Sequence, residues 1–267
     1  MATAGTLPTW AAVAPTLALA ITAMAMLLID SIDPDADSSG LLAGTAALGG
    51  LATLAITGWY LVAGTGQTRT GGPIDLFGNA LVVDGMSLFF TAIVASVLTL
   101  VVIASYDYLA DNPNQAEYYT LVLLAATGMS LMASANSFAT AFVSLELSSL
   151  PSFALVAYLK TNRGSVEAGL KYFLIGALSS AVFVYGISLV YAASGSLQFT
   201  DVAAAVQGTD LVGVLGFGIL MVIGGLAYKT ASVPFHFWAP EAYEGAPAPI
   251  SAFLSSASKA AGFVLAF

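Results

Sequence analysis

The chain has 267 residues, of which 58% are hydrophobic and only 8% are charged, and its net charge is −9. A soluble domain carries roughly 25% charged residues, so this composition excludes a soluble globular protein. The sequence has no cysteine and a single histidine, which excludes a thiolate-bound iron–sulfur cluster and a haem held by two histidines within these residues. We therefore expect this chain to carry no electrons itself.

Apolar stretches of about 20 residues recur along the sequence, and each is long enough to cross a bilayer as a helix. Hydropathy predicts eight spans, near 8–30, 41–63, 85–108, 116–135, 138–160, 166–193, 209–231 and 247–267. The first has no basic leader and is too long for a typical signal peptide, so we expect it to be retained. The predicted fold class is an all-α, multi-pass (polytopic) membrane protein of about eight transmembrane helices.

Two connections between the spans are predicted to lie outside the membrane. Residues 64–84 combine a glycine-rich start with two short apolar pieces, which is the pattern of a hairpin, and 194–208 are predicted to form a short surface segment. Lys160 and Arg163 share one loop, which the positive-inside rule assigns to the cytoplasm. The N-terminus then lies on the outer side of a cell membrane, although Arg69, on the same side, opposes this assignment.

The seventh span carries the signals of a broken helix. Gly224 and Gly225 precede Lys229, and Val233 and Pro234 follow it. Proline lacks a backbone donor and clashes with the preceding turn, so the helix is predicted to break between Lys229 and Pro234. Irregular backbone at membrane depth is tolerated where it is buried in protein or lines a watery cavity, and transporters commonly place ion sites at broken helices.

Three ionisable residues lie well inside the predicted spans, where inserting each costs roughly 2.5–3.5 kcal/mol. Glu146 is expected to transfer protons or ions, the alternative being a carboxylate tied structurally to a neighbouring helix. Lys229 is expected to exchange a proton, because burial favours a neutral lysine and a nearby carboxylate favours a charged one. Its alternative is a structural ion pair. Lys259 lies among small residues of the eighth span, which leave room for water around it, and it is also expected to transfer protons. The alternative is that its side chain snorkels to an interface.

Two further residues are candidates for proton transfer. His236 follows the predicted break by a few residues, and histidine can relay protons near neutral pH. A lone histidine can equally be a hydrogen-bonded structural residue. Lys171 lies four residues after Glu167 in the sixth span, so an ordinary i,i+4 helix pair explains it as well as proton transfer does.

Two segments resemble the antiporter-like subunits of complex I, and in particular its subunit N. Residues 142–197, which begin FVSLELSSLPSFALVAYLKTNRGS, resemble that family's fifth and sixth helices. The run YKTASVPFHFWAPEAYEGAPAPISAFLSSASKAAGF is similar to the region around its seventh and eighth helices. The clear resemblance covers residues 138–267.

The resemblance implies a proton-translocating membrane subunit, without redox chemistry of its own, of an enzyme that oxidises NADH or another donor and reduces a quinone. By motif position, Glu146 matches the fifth-helix glutamate, Lys229 the seventh-helix lysine and Lys259 the connecting lysine, with His236 on the hydrophilic axis. The family has two inverted five-helix repeats. Residues 1–115 would hold helices 1–3 and a hairpin near 64–84, and 116–267 the first repeat, ending inside helix 8. We expect the sequence to be the N-terminal part of a longer protein.

The resemblance also implies partners in the bilayer and outside it. These are sister antiporter-like subunits, other membrane subunits and a peripheral redox arm that carries iron–sulfur clusters, with or without flavin. Quinone would be the substrate of the whole complex, and no nucleic acid is expected as a partner. Two alternatives stay open: a subunit of a multisubunit cation/proton antiporter, and a truncated or structural membrane piece without activity.

Overall fold

The structure, a computed structural model, describes residues 8–32, 39–110, 112, 114–159 and 161–266. Within these residues it consists mainly of helices: α1 (Ala14–Ile32), α2 (Ser39–Ala63), α3 (Gly85–Tyr108), α4 (Gln115–Ser134), α5 (Phe138–Val156), α6 (Arg163–Ser194), α7 (Phe199–Ala205), α8 (Val212–Thr230), α9 (Ala239–Gly245), α10 (Ala248–Ser255) and α11 (Ala257–Ala266). Short 3₁₀ turns lie at Thr9–Val13 and Thr68–Thr70. Two strands, β1 (Ile74–Leu76) and β2 (Leu81–Val83), pair antiparallel in the segment for which a hairpin was predicted.

Eight stretches in the described residues are long and apolar enough to cross a membrane, and this confirms the predicted all-α, multi-pass fold. Their bounds lie within about four residues of the predicted ones. The largest difference is in the fifth span, where α5 ends at Val156 rather than at 160. The chain leaves the helix there because a turn and the Asn162 cap of α6 occupy the following residues.

The helices pack around α4, which is the most buried of the spans. It contacts α1 and α3 on one side and α5 and α11 on the other. Small side chains and buried tyrosines fill this centre, among them Tyr118 and Tyr119, which are both fully buried. Because α4 packs on helices from both halves of the chain, the division between residues 115 and 116 stays a prediction.

The helices α6 and α8 form a second packed layer, in which glycines let the two backbones approach closely. A Cβ atom on Gly186 would lie 2.8 Å from the carbonyl oxygen of Gly218, and one on Gly218 would lie 2.9 Å from that of Gly186. Small residues at helix contacts are typical of membrane proteins, since van der Waals packing takes the place of hydrophobic burial there. This contact holds α8, and the lysine at its end, against α6.

One end of the bundle is built from several connections that are hydrogen-bonded together. The amide of Asn136 donates to the carbonyl of Ala80 at 3.0 Å, and the amide of Phe138 donates to that of Leu197 at 2.9 Å. The Tyr60 hydroxyl donates to the carbonyl of Ala11, so the start of the first span lies at this same end. Since the spans alternate in direction, the α5–α6 connection lies at the opposite end.

Candidate functional site

Lys229 lies in the last turn of α8, one residue before the helix ends at Thr230. The amide of Ser232 donates to the carbonyl of Ala227 at 2.8 Å, and that of Ala231 donates to the carbonyl of Tyr228 at 2.9 Å. These two bonds form a Schellman motif, with Ala231 in the left-handed conformation at φ 54° where glycine is usual. The helix therefore ends at Thr230, which confirms the predicted break in the seventh span.

The ammonium group of Lys229 is buried and hydrogen-bonded. Its Nζ donates to Oγ of Ser148 at 2.9 Å and to Oγ of Ser149 at 3.1 Å, both on α5. The residue is only 2% exposed, and the two serines are buried as well. Neutral hydroxyls can accept from either a charged or a neutral lysine, so this setting does not fix the lysine in one protonation state.

Glu146 lies on the same helix as these serines and is half-buried. Its carboxylate accepts a hydrogen bond from the hydroxyl of Ser180 on α6. Within the described residues the carboxylate forms no ion pair with Lys229, and the lysine's hydrogen bonds go to the serines. The residue is thus tied to a neighbouring helix, as the structural alternative requires, and also lies beside the buried lysine.

A small cavity lies between α5, α6 and α8, with Lys229, Ser149 and Ser180 among its walls. About 10 Å³ of it is open to the centre of a water molecule, which is roughly the space that one water needs. A water there would have hydroxyl groups as partners on two helices. The carboxylate of Glu146 is joined to this cavity through Ser180.

Lys259 lies near the start of α11, directly after an interruption of the eighth span at Ser256. Its Nζ is buried, and no group in the described part of the chain accepts a hydrogen bond from it. The ammonium instead lies over the ring of Trp238, 4.1 Å from the centroid, and 5.9 Å from that of Tyr243. The sequence did not predict this break or these aromatic neighbours.

The two lysines lie on contacting helices. A Cβ atom on Gly262, one turn after Lys259, would lie 3.2 Å from Cγ of Lys229. Trp238 also connects them, because its indole N–H donates to the carbonyl of Tyr228 at 3.2 Å, next to Lys229. The structure therefore brings together Glu146, Lys229 and Lys259 along one line from α5 to α11.

The other two candidates lie apart from this group. His236 is exposed in the connection between α8 and α9. Lys171 is exposed near the start of α6, and its Nζ lies 2.8 Å from Oε1 of Glu167 and 2.9 Å from Oε2 of Glu241. The i,i+4 pair expected as the structural alternative is thus present, and a second ion pair joins α6 to α9.

A cavity with polar walls lies beside these ion pairs. Its volume is about 430 Å³, and Lys171, Glu241, Glu244 and Asn162 are among the residues that line it. Within the residues that the structure describes, no group of three or more histidine or acidic side chains is placed to hold a metal ion.

Sequence reasoning missed three residues of the site. Ser180 is one of many serines in the spans, and only the rotation of α6 shows that it faces Glu146. Trp238 and Tyr243 lie in the proline-rich segment between the seventh and eighth spans, which was singled out for its lysines and histidine. The signal for them was the aromatic residues of FHFWAPEAY, because aromatic faces bind ammonium groups.

Comparisons with known proteins identify relatives of this chain. The family model described as "NADH:quinone oxidoreductase/Mrp antiporter, TM" matches residues 135–267. The NADH-quinone oxidoreductase subunit N of Parvibaculum lavamentivorans is 36% identical over 263 residues, which cover 97% of this chain and 52% of the relative. The chain thus spans about half the length of the curated relatives that it matches.

Two chains of solved structures are also similar to this chain. A chain of respiratory complex I from Thermus thermophilus is 32% identical, with a TM-score of 0.77 over 94% of this chain and 52% of that one. A chain of the Mrp complex from Dietzia sp. DQ12-45-1b matches with a TM-score of 0.76 over 95% of this chain and 48% of that one. At 19% identity, the second match indicates a common fold alone.

Proposed function

The chain belongs to the family of antiporter-like membrane subunits that includes subunit N of NADH-quinone oxidoreductase, and from this premise we propose that it moves protons across a membrane. In this proposal the protein is a subunit of a redox-driven complex, in which electrons pass from a donor to a quinone in other subunits. It carries no redox cofactor itself. The donor is NADH or another reductant that the partner subunits accept.

The observation that carries the proposal is the buried Lys229 at the end of α8. It is 2% exposed, and it donates to serine hydroxyls that can accept from both of its protonation states. A charged group held in this way inside a span is expensive, so a functional reason is expected. Glu146 lies on the helix that supplies both serines, and its carboxylate accepts a hydrogen bond from Ser180, which lines the same small cavity as Lys229.

We propose the following roles for the site residues. Glu146 responds to neighbouring subunits and alters the field at Lys229, which takes up and releases the proton. Lys259 passes it onward, and His236 relays it from the connection between α8 and α9. Lys171 transfers protons at the polar cavity of about 430 Å³ that it lines, although its two ion pairs also suit a purely structural role.

The expected partners are sister antiporter-like subunits and a peripheral arm with iron–sulfur clusters, with or without flavin. The expected location is a cell membrane, with the N-terminus on the outer side. This orientation rests on Arg163, which lies at the opposite end of the bundle from the hairpin, together with the neighbouring Lys160.

The test is to measure proton pumping and quinone reduction together in native membranes that carry the full-length protein with Glu146→Gln. We expect pumping to fall by about 10²-fold or more, the scale of a lost proton-transfer group. The matched control is Arg163→Ala, which removes an exposed charge at the start of α6. Unchanged pumping by an assembled Glu146→Gln complex would contradict the proposal.

A second function, cation/proton antiport without redox chemistry, is favoured by the family description, which names both classes. The two functions differ in their driving force. Proton movement that follows a sodium gradient and ignores quinone reduction would identify the antiporter. Movement that requires quinone reduction would identify the redox-driven pump.

A further inference from the structure

Lys259 differs from Lys229 in what surrounds its ammonium group. Lys229 donates to two hydroxyls, whereas within the described residues nothing accepts a hydrogen bond from Nζ of Lys259. A buried ammonium without an acceptor is costly. Among the described residues, stabilisation of its charged form must therefore come from another kind of contact.

That contact is the aromatic face of Trp238. Nζ lies 4.1 Å from the centroid of the indole, well inside the roughly 6 Å at which a cation is attracted to an aromatic ring. Tyr243 adds a second ring at 5.9 Å. Burial raises the pKa of the Tyr243 phenol, so this ring stays neutral beside the lysine.

Trp238 is itself held in place. Its ring stacks on that of Tyr172 from α6, with centroids 4.5 Å apart and planes 15° apart. The indole N–H donates to the carbonyl of Tyr228 at 3.2 Å, and the side chain is only 4% exposed. The tryptophan is therefore a fixed platform.

We infer that Trp238 is a positioning residue for proton transfer, which holds the protonated Lys259 against its aromatic face. The same side chain fixes the last turn of α8 through Tyr228, so it sets the place of Lys259 relative to Lys229. This inference rests on the proposed function, because it assigns Trp238 a role in the proton transfer at Lys259.

The test replaces Trp238 by mono-, di- and trifluorinated tryptophan through site-specific incorporation in the full-length protein. Fluorine withdraws electrons from the ring face and weakens its attraction for a cation, while the shape and the N–H remain. We expect the proton-pumping rate in native membranes to fall stepwise with each fluorine, by about three- to tenfold over the series. The same analogues at Trp59, which is 63% exposed, should leave pumping unchanged.

Two substitutions distinguish an effect of the aromatic face on pumping from an effect of side-chain packing. Trp238→Phe keeps an aromatic face and loses the N–H, and it should retain more pumping than Trp238→Leu. A flat response across the fluorine series in assembled protein would overturn the inference, as would equal pumping by the Phe and Leu variants.

Lys259→Ala, measured in parallel, distinguishes this failure from that of the proposed function. If Lys259→Ala abolishes pumping while the fluorine series is flat, only the role of Trp238 is overturned. If Lys259→Ala pumps normally, the proposed proton transfer at Lys259 fails, and the role of Trp238 fails with it.

Discussion

Individual residues of the site differ in how their buried polar groups are satisfied. Lys229 has two serine hydroxyls as acceptors, and the hydroxyl of Ser149 in turn donates a hydrogen bond to the carbonyl of Leu145 at 2.7 Å. The lysine therefore depends on neutral hydroxyls rather than on a carboxylate. This arrangement is suited to a group that gains and loses a proton, because a fixed carboxylate partner would hold the lysine charged.

The double substitution Ser148→Ala/Ser149→Ala tests this dependence. It removes both acceptors of a buried donor, and each unsatisfied buried group costs about 1–3 kcal/mol. We expect a lower unfolding temperature of the purified protein and at least about tenfold slower proton pumping. The control is Ser188→Ala, which removes an exposed hydroxyl of α6 that bonds only within its own helix. Normal stability and normal pumping in the double variant would rule out the role given to the serines.

Among individual residues, the sequence predicted the charged members of the site and missed Ser180, Trp238 and Tyr243. A charge within an apolar run stands out, so Glu146, Lys229 and Lys259 could be singled out directly. Ser180 and Trp238 carry no such mark. Their roles depend on which way α6 is rotated and on where the α8–α9 connection returns, and both are tertiary properties.

The helices themselves were predictable where the signals are local. The end of α8 follows from nearby glycine and proline, although the helix stops at Thr230, four residues before Pro234. The interruption at Ser256 has no such signal, because neither glycine nor proline lies there. It is seen only in the structure, where Ser256 separates α10 from α11.

Neighbouring glycines of α8 provide a test of the close packing between α6 and α8. A Cβ atom on Gly225 would lie 2.6 Å from Cβ of Phe183, whereas one on Gly224 would meet nothing within 4 Å. Gly225→Ala should therefore cost about 1–3 kcal/mol of stability through overpacking. Gly224→Ala should be neutral or stabilising, because alanine favours helix by about 1 kcal/mol over glycine.

The measurement is the thermal unfolding of the two variants in the same detergent. A lower midpoint for Gly225→Ala alone is the expected result. Equal midpoints would show that the helices are not packed as closely as the structure has them.

The described residues form a bundle of eight candidate spans, in which alternate connections lie at opposite ends. Thr200, on α7, and Thr161, in the α5–α6 connection, are both exposed and lie at different ends. The eight spans and their order could be predicted from hydropathy, because each apolar run is long and polar residues separate it from the next. Which side faces the cytoplasm rests on a few basic residues and therefore stays a prediction.

These 267 residues contain no cysteine, so single cysteines introduced into them can report the orientation. Thr200→Cys should react with an impermeant maleimide added outside intact cells, and Thr161→Cys should react only after the membrane is opened. The reverse pattern would invert the orientation, while reaction of both from outside would contradict the alternation of the spans.

In the proposed mechanism, Lys229 takes up and releases the transported proton. The most direct test is to count protons pumped per quinone reduced in native membranes that carry the full-length protein with Lys229→Arg. Arginine keeps the positive charge and donors for Ser148 and Ser149, but it does not release its proton at any relevant pH. We expect an assembled complex whose pumping is lost. Pumping at the original ratio would contradict the claim, since it would show that only the positive charge of Lys229 is required.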